Sequence, residues 1–597
     1  MDGPRRFRLP SFNWRQYMPS LDQFLHFPKM LSKKERYLVV ALLIVAVISF
    51  IYIPLNIYRH YTIVVPAHGG SFVEGVAGQP ISINPLLAQT NDADKDIANL
   101  IYAGLMKYGE NGTLAYDMAK SHVISGDGLT YTFTLKDNLV WHDGTPVTAD
   151  DVIFTILTAQ NPDYGSFQRI NWQGVDVAKV DDKTVVFKLK NRYAQFLNNC
   201  TLGIMPRHIW ESVSPSNFNL YAKNLAPIGA GPYKFNKLRR DSSGNVASVE
   251  LLSFKEYYDG EPYISKVTFQ FFGSENEVIK SYNENRIDAF SPSSPKIVDS
   301  VKPQNLVVTD EIKIPRYFAV FFNQNKSQAL SDKSVRVALN YATDKKTILD
   351  GVLSGKGSIV DSPLISGITG IPNPTVRYDY DAEKAKAELE KADWTFPAEG
   401  NARQKEIKVT QTSGKKTTTT TETVNLSVEI TTSNWPELVS VAAALKEQWE
   451  KLGVFVSIKT LSLAELQQAI KDRSYEALLF GEVLSVDPDP FSFWHSSQKK
   501  DPGLNLALYD NKNADKLLED ARETLDNDAR ISKYASLQNT ILADAPALFL
   551  YSPYYLYIHS SRIKNIVLSP ISIPPERFDN TGKWYIDTQR VFKKSEK

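Results

Sequence analysis

Cysteine is all but missing: Cys200 stands alone among 597 residues, which excludes a disulfide framework and any cysteine-built metal centre. Excess charge is missing too. A net charge of +1 supplies no field to draw nucleic acid or an acidic membrane surface, and points instead to a neutral or small-molecule partner. Enzyme signatures are equally scarce. There is no H-E-x-x-H and no G-x-S-x-G, and SGKGS at Ser354 lacks the first glycine of a phosphate-binding loop. The eight histidines are scattered, so none forms a helical metal-binding pair. What is present, 43% hydrophobic and 23% charged residues, is the composition of an ordinary globular chain long enough for several domains.

One stretch departs from that average. Tyr37 to Leu55, YLVVALLIVAVISFIYIPL, runs nineteen residues without a charge. As a helix it would reach about 28 Å, close to the hydrocarbon thickness of a bilayer. Arg5, Arg6, Arg8, Arg15, Lys29, Lys33, Lys34 and Arg36 precede it, whereas the near flank beyond carries only Arg59. The positive-inside rule therefore predicts a cytoplasmic tail (1–36), a retained transmembrane anchor (37–55), an extended linker (56–65) and an extracytoplasmic body. A cleaved signal peptide fits less well, because the apolar run is long and the nearest small-residue site, Val65 to Ala67, lies far downstream. No cysteine follows the run to carry a lipid, so the helix itself is the expected tether.

The body reads as mixed α/β. Leu129, Tyr131, Phe133 and Leu135 alternate with polar residues, the period of a half-buried strand. Between Asn425 and Phe480 the pattern is strand, helix, strand, helix, strand. Leu426, Val428 and Ile430 alternate; Asn434, three before Glu437, predicts a helix start; Leu438, Val441, Leu445 and Leu452 share a face; Gly453 ends it; Ser462 with Glu465 caps the next helix. Such a run implies parallel pairing with right-handed crossovers, and a ligand crevice beyond the strand C-termini. Two loops lie there: Thr431 to Trp435, with Thr432, Ser433, Asn434 and Trp435 as candidates, and Gly481 to Trp494, with Ser485, Val486, Asp487, Asp489 and Trp494. Both mix small polar groups with aromatic rings. Asp487 and Asp489 also fit plain turn starts before Pro488 and Pro490. Glu406 to Leu426, rich in threonine around Ser-Gly-Lys-Lys, predicts an exposed hairpin. WHDGTPVTADDV, from Trp141, holds a histidine and three acids, yet a tight turn at His-Asp-Gly and a helix cap at Thr148 account for it without catalysis.

Several passages, in order, carry a resemblance: INPLLAQTNDADKDIANLIYAGLMKY, DGLTYTFTLKDNLVWHDGTPVTADDVIFTI, FLNNCTLGIMPRHIW, APIGAGPYKF, LSDKSVRVALNYATDKKTIL and PPERFDNTGKWYI. Over roughly residues 68 to 590 the chain resembles family 5 extracellular solute-binding proteins, the oligopeptide and dipeptide receptors of ABC importers. The resemblance implies a periplasmic-binding-protein-like α/β fold of type II, with three interleaved domains forming two lobes about a hinge. Domain I would take 66–97, 229–315 and 553–597; domain II, 98–228; domain III, 316–552. It implies a peptide or other small solute such as an oligosaccharide as ligand, and permease subunits with a cytoplasmic ATPase as partners. It implies neither an enzyme nor a cofactor, metal or nucleic acid. It adds Gln89, Thr90 and Asn91 as ligand contacts from domain I. Two departures bear on specificity. Ala230 stands where the family usually has Thr, and Thr432 and Val486 occupy the positions where dipeptide-type relatives place an Arg for the ligand carboxylate and an Asp for its amine. The latter pair implies an oligopeptide rather than a dipeptide; an anchored hydrolase using His142 or His495 is the alternative from another class.

Overall fold

The computed structural model describes residues 31–593 apart from 89–90, 110–111, 303–306, 369, 414–415 and 569. The chain divides into two units, residues 1–67 with 588–597, and 68–587.

In the first unit a helix spans Lys33–Tyr61, opened by a reciprocal capping box in which the Ser32 N–H donates to Glu35 at 2.8 Å. None of its side chains is buried, and its length and hydropathy suffice to cross a membrane. The helix outruns the apolar stretch. Residues 56–61, expected as extended linker, continue it past Pro54 to Arg59 and His60, whose positive or polar ends suit a helix C-terminus. Thr62–Pro66 then pairs antiparallel with Thr588–Phe592.

The second unit is built on three large sheets. The first has seven strands, in the order Val307–Ile312, Tyr555–Ser560, Ala289–Phe290, Gly69–Ala77, Ile264–Phe272, Val246–Ser253, Tyr233–Arg240. The second is a four-stranded antiparallel sheet from Ala119 to Leu189, where Tyr131, Phe133 and Leu135 fill the core as their period of two requires. The third has six strands, in the order Gly357–Ile359, Ala547–Pro553, Arg316–Phe322, Ala477–Val483, Ser427–Ser433, Phe455–Leu461. Each sheet has its own apolar core, the first and third sheets one on each face.

Within the third sheet Ser427–Ser433 runs parallel to both Phe455–Leu461 and Ala477–Val483, as the strand-helix-strand pattern predicts. The intervening helices are Pro436–Glu450 and Leu463–Asp472, the second capped by Ser462 and Glu465. The first starts differently from the expectation. Trp435, not Asn434, is its N-cap, because Pro436 with its fixed φ occupies the first helical position. The threonine-rich arms Gln404–Ser413 and Lys416–Asn425 pair with each other as an antiparallel ribbon.

The His142 segment joins the first and second sheets. Gly229 donates its N–H to Nδ1 at 3.2 Å, and Nε2 donates to the Gly231 carbonyl at 3.0 Å, so the two ring nitrogens are set as a neutral tautomer. Burial pushes this imidazole down to about 4. The glycines are needed for close approach: a Cβ at Gly229 would lie 2.0 Å from the Ile101 carbonyl oxygen. Gly144 closes the turn at φ 88°, and the Thr148 N–H donates to Asp151 at 2.8 Å.

Candidate functional site

Among the described residues the first and third sheets are joined by two short crossings, Lys313–Pro315 between one strand pair and Tyr554 between the other. Beside these crossings lies a crevice with a cavity of about 510 Å³. One wall comes from the first sheet and the helix Asp92–Ile101, with Glu74, Asp92 and Asp96; the other comes from the third sheet, with Arg316, Trp435 and Glu437. A second cavity of about 400 Å³ shares Arg316 and Trp435 and extends over Ser433, Asn434, Leu438 and Val483. Strand direction puts them there. Arg316–Phe322 runs antiparallel to Ala477–Val483 with Arg316 opposite Val483, so its first residue reaches the edge where the parallel strands end.

The wall is amphipathic. Trp435 packs 5.8 Å from Phe318, centroid to centroid, and the Arg316 guanidinium sits 5.9 Å from the same Phe318 ring. Glu437 accepts from the Tyr551 hydroxyl at 3.0 Å, and burial raises its pKa above the ordinary carboxylate value. Across the cavity Arg577 is bound to Asp96 at 2.6 and 2.8 Å and to Glu74 at 3.0 Å. Burial pushes Glu74 up to about 7 even with that partner.

The residues expected to meet a ligand are sorted unevenly. Gln89 and Thr90 lie outside the described residues. Asn91 is a helix N-cap, accepting from Ala93 at 2.9 Å and donating to the Gln79 carbonyl at 2.7 Å, while its neighbour Asp92 lines the cavity. Ser433, Asn434 and Trp435 line the smaller cavity. Thr432 is buried, and its hydroxyl donates to the Leu479 carbonyl at 3.0 Å, tying two strands together. Trp494 requires correction. It is 1% exposed and packed against Phe321, Tyr509 and Phe549, because the short helix Phe491–Trp494 turns its ring into the core instead of the crevice.

Ser485, Val486, Asp487 and Asp489 form a separate cluster. The Ser485 hydroxyl donates to the Asp487 carbonyl, and the Val486 N–H to Ser572 at 3.1 Å. Both acids are already engaged. Asp487 accepts from Arg530 at 3.3 Å on each oxygen; Asp489 accepts from Arg522 Nε at 2.9 Å and Nη2 at 2.6 Å. This cluster closes a seam between the four-stranded part and the third-sheet part. The Tyr193 hydroxyl donates to Asp489 at 3.3 Å, Gln195 donates to the Pro488 carbonyl at 3.2 Å and to the Tyr534 hydroxyl at 2.9 Å, and the Ala194 N–H donates to the Arg522 carbonyl at 2.8 Å. Sequence reasoning missed both Arg316 and this seam. Arg316 left a faint signal as the lone charge in IPRYFAVFF; the seam left none, since its partners lie about 300 residues apart.

Residues 113–505 match the model of bacterial extracellular solute-binding proteins, family 5. The oligopeptide-binding protein AppA of Bacillus subtilis (strain 168) is 29% identical over 496 residues, covering 82% of this chain and 87% of the relative. The solved structure of AppA in complex with a nonapeptide matches with TM-score 0.67 at 28% identity, over 88% of this chain and 100% of that one. CtaP of Listeria monocytogenes, an ABC transporter substrate binding protein, matches at TM-score 0.73 and 30% identity over 87% and 99% of the two chains. NikZ of Campylobacter jejuni, solved with Ni(L-His), matches at TM-score 0.68 and 27% identity over 86% and 99%. A two-walled crevice beside a double crossing, on a chain whose family model spans residues 113–505, places this protein among the bacterial extracellular solute-binding proteins of family 5.

Proposed function

We propose that this chain is the membrane-tethered receptor of an ABC importer, capturing an oligopeptide between its two lobes and presenting it to the permease without transforming it. The observation that carries the reading is the crevice itself: a cavity of about 510 Å³ between walls joined by two short crossings, with an aromatic platform and charges of both signs. Such a hinge converts binding into closure, because a ligand that touches both walls favours the closed form by its differential affinity. The nonapeptide held by AppA supports a peptide ligand. Thr432 and Val486 support a longer one, since neither can replace the charged contacts that dipeptide-type relatives are expected to offer, each worth about 1.5–3 kcal/mol. The helix Lys33–Tyr61 supports tethering, with the body on the extracytoplasmic side.

The Ni(L-His) complex of NikZ favours a second reading, a small non-peptide solute. Full-length protein in lipid nanodiscs, titrated with random dipeptide, pentapeptide and nonapeptide pools and with Ni(L-His), separates the two. The expected result is a rise in Tm, and compaction by small-angle scattering, with the longer pools only. Compaction with dipeptides or Ni(L-His) alone, or with no probe, overturns the oligopeptide reading.

A further inference from the structure

Arginines at low exposure in the body are, with one exception, held by hydrogen bonds. Arg336 donates to the carbonyls of Ala545 at 3.0 Å, Leu330 at 2.8 Å and Asp544 at 2.9 Å. Arg403 donates to the carbonyls of Leu452 at 3.0 Å and Trp394 at 2.8 Å, and Arg473 to those of Lys499, Ile470 and Gly503. Arg316 is different. Among the described residues no carboxylate forms an ion pair with it; its Nε is buried without a hydrogen-bond partner, as is that of Arg577, but the terminal nitrogens of Arg577 hold Asp96 and Glu74 whereas those of Arg316 hold no carboxylate. Leaving a guanidinium donor desolvated and unmatched is unfavourable, so a position that keeps one has donors to spare for something else.

We propose that Arg316 anchors a carboxylate of the ligand in the interlobe crevice, an inference that rests on the peptide-receptor reading above. Its location fits. Arg316 is shared by both crevice cavities, so a group bound to it lies at their junction. Its backbone is fixed by the Val483 register and by its N–H bond to the Ile314 carbonyl at 2.8 Å, and its guanidinium sits over the Phe318 ring, which limits how far the side chain can swing. The nearby acid does not satisfy it. Glu437 is engaged by the Tyr551 hydroxyl and lines the same wall without pairing.

The chemistry favours a carboxylate over a more highly charged anion. Asp92, Glu275 and Glu437 line the same cavity and Arg577 is already bound to Asp96 and Glu74, so a phosphate dianion would meet several negative groups for one unpaired cation, whereas a singly charged, flat carboxylate matches the guanidinium fork. The same acids leave room for the positive groups of a zwitterion. A peptide has two sources of carboxylate, its C-terminus and its acidic side chains.

The test uses full-length wild type, Arg316→Met and Arg316→Lys in nanodiscs with three nonapeptide pools. One lacks Asp and Glu and has free C-termini; the second is the same pool amidated; the third is amidated and contains Glu. The wild type should bind the first pool roughly tenfold or more tighter than the second, and Arg316→Met should erase that ratio while Arg316→Lys keeps part of it. Tighter binding of the third pool than the second in wild type, lost in Arg316→Met, assigns the side-chain source instead. A preference for carboxylates that survives in Arg316→Met overturns the anchor. Equal binding of all pools by wild type overturns it while leaving the peptide reading standing; no binding of any pool overturns both. Should Arg316→Met fail to fold, the wild-type ratios and Arg316→Lys still decide.

Discussion

Arg577 and Arg316 face the same cavity from opposite walls, yet one is spent on the fold and the other is not. Arg577 has a side chain only 2% exposed and holds Asp96 and Glu74, themselves 5% and 1% exposed. Among the described residues Arg316 holds no carboxylate, and its Nε has no hydrogen-bond partner. A buried charge matched inside the protein is part of the scaffold, and one left unmatched at a cavity is free for a ligand. Charge type and position in the sequence do not separate the two cases; partners do.

Breaking the scaffold side should give the largest effect. Arg577→Met strands two buried carboxylates, and a loss of about 3–5 kcal/mol is expected from denaturant titration of the ligand-free protein, against less than about 1 kcal/mol for Arg316→Met. Comparable losses in the two variants would erase the distinction between them.

Glu482 sharpens the comparison from a third direction, as a buried acid that pairs with no cation among the described residues. The Tyr317 hydroxyl donates to it, and burial pushes it up to about 8 from 4.5. Since the folded state holds this proton more tightly than the unfolded chain, the contribution is fully present below about 4.5 and is lost as pH rises toward about 8. Glu482→Gln keeps an acceptor for Tyr317 without the proton. It should therefore be more stable than wild type by about 2–4 kcal/mol at pH 8 and level with it at pH 4.5, in paired thermal melts. A pH-independent difference would remove Glu482 from the account.

The smallest expected effect belongs to the seam, where the ion pair is partly wet. Arg522 and Asp489 side chains are 32% and 17% exposed. Arg522→Met should shift the ligand-free balance toward the open form by about 1–2 kcal/mol, seen as a larger radius of gyration, with little change in unfolding. An unchanged radius would mean that the seam is held by Gln195 and the backbone contacts alone.

Much of the fold was legible because it rests on local periodicity. The alternation at Leu426, Val428 and Ile430, the helical stripe from Leu438 and the Ser462 cap are each decided within a dozen residues, and the structure realises them. The site was less legible because it rests on meetings across long separations. Asp487 and Asp489 look identical in sequence to open ligand contacts, and only the helices Lys512–Glu523 and Asn527–Asp544 bring Arg522 and Arg530 onto them. Trp494 likewise shows an aromatic at a crevice loop, and the turn of its short helix sends the ring inward. Arg316 precedes an apolar strand, where a charge reads as a boundary mark; its significance appears only from the absence of a partner.

The bond between Glu74 and Arg577 also sets an order of events during synthesis. Its two residues are 503 positions apart, and Gly69–Ala77, which carries Glu74, pairs through Ala289–Phe290 with a strand that ends at Ser560. A ribosome therefore has to deliver the chain through Ser560 before the first sheet can be completed, and through Arg577 before that carboxylate is paired. The third-sheet region draws its strands from one continuous stretch, Arg316 to Pro553, so its contacts span shorter separations, although its Ala547–Pro553 strand emerges just before Tyr555–Ser560. Glu74, placed early on the nascent chain, thus waits longest for its partner, and a truncation before Arg577 leaves that buried carboxylate without its cation.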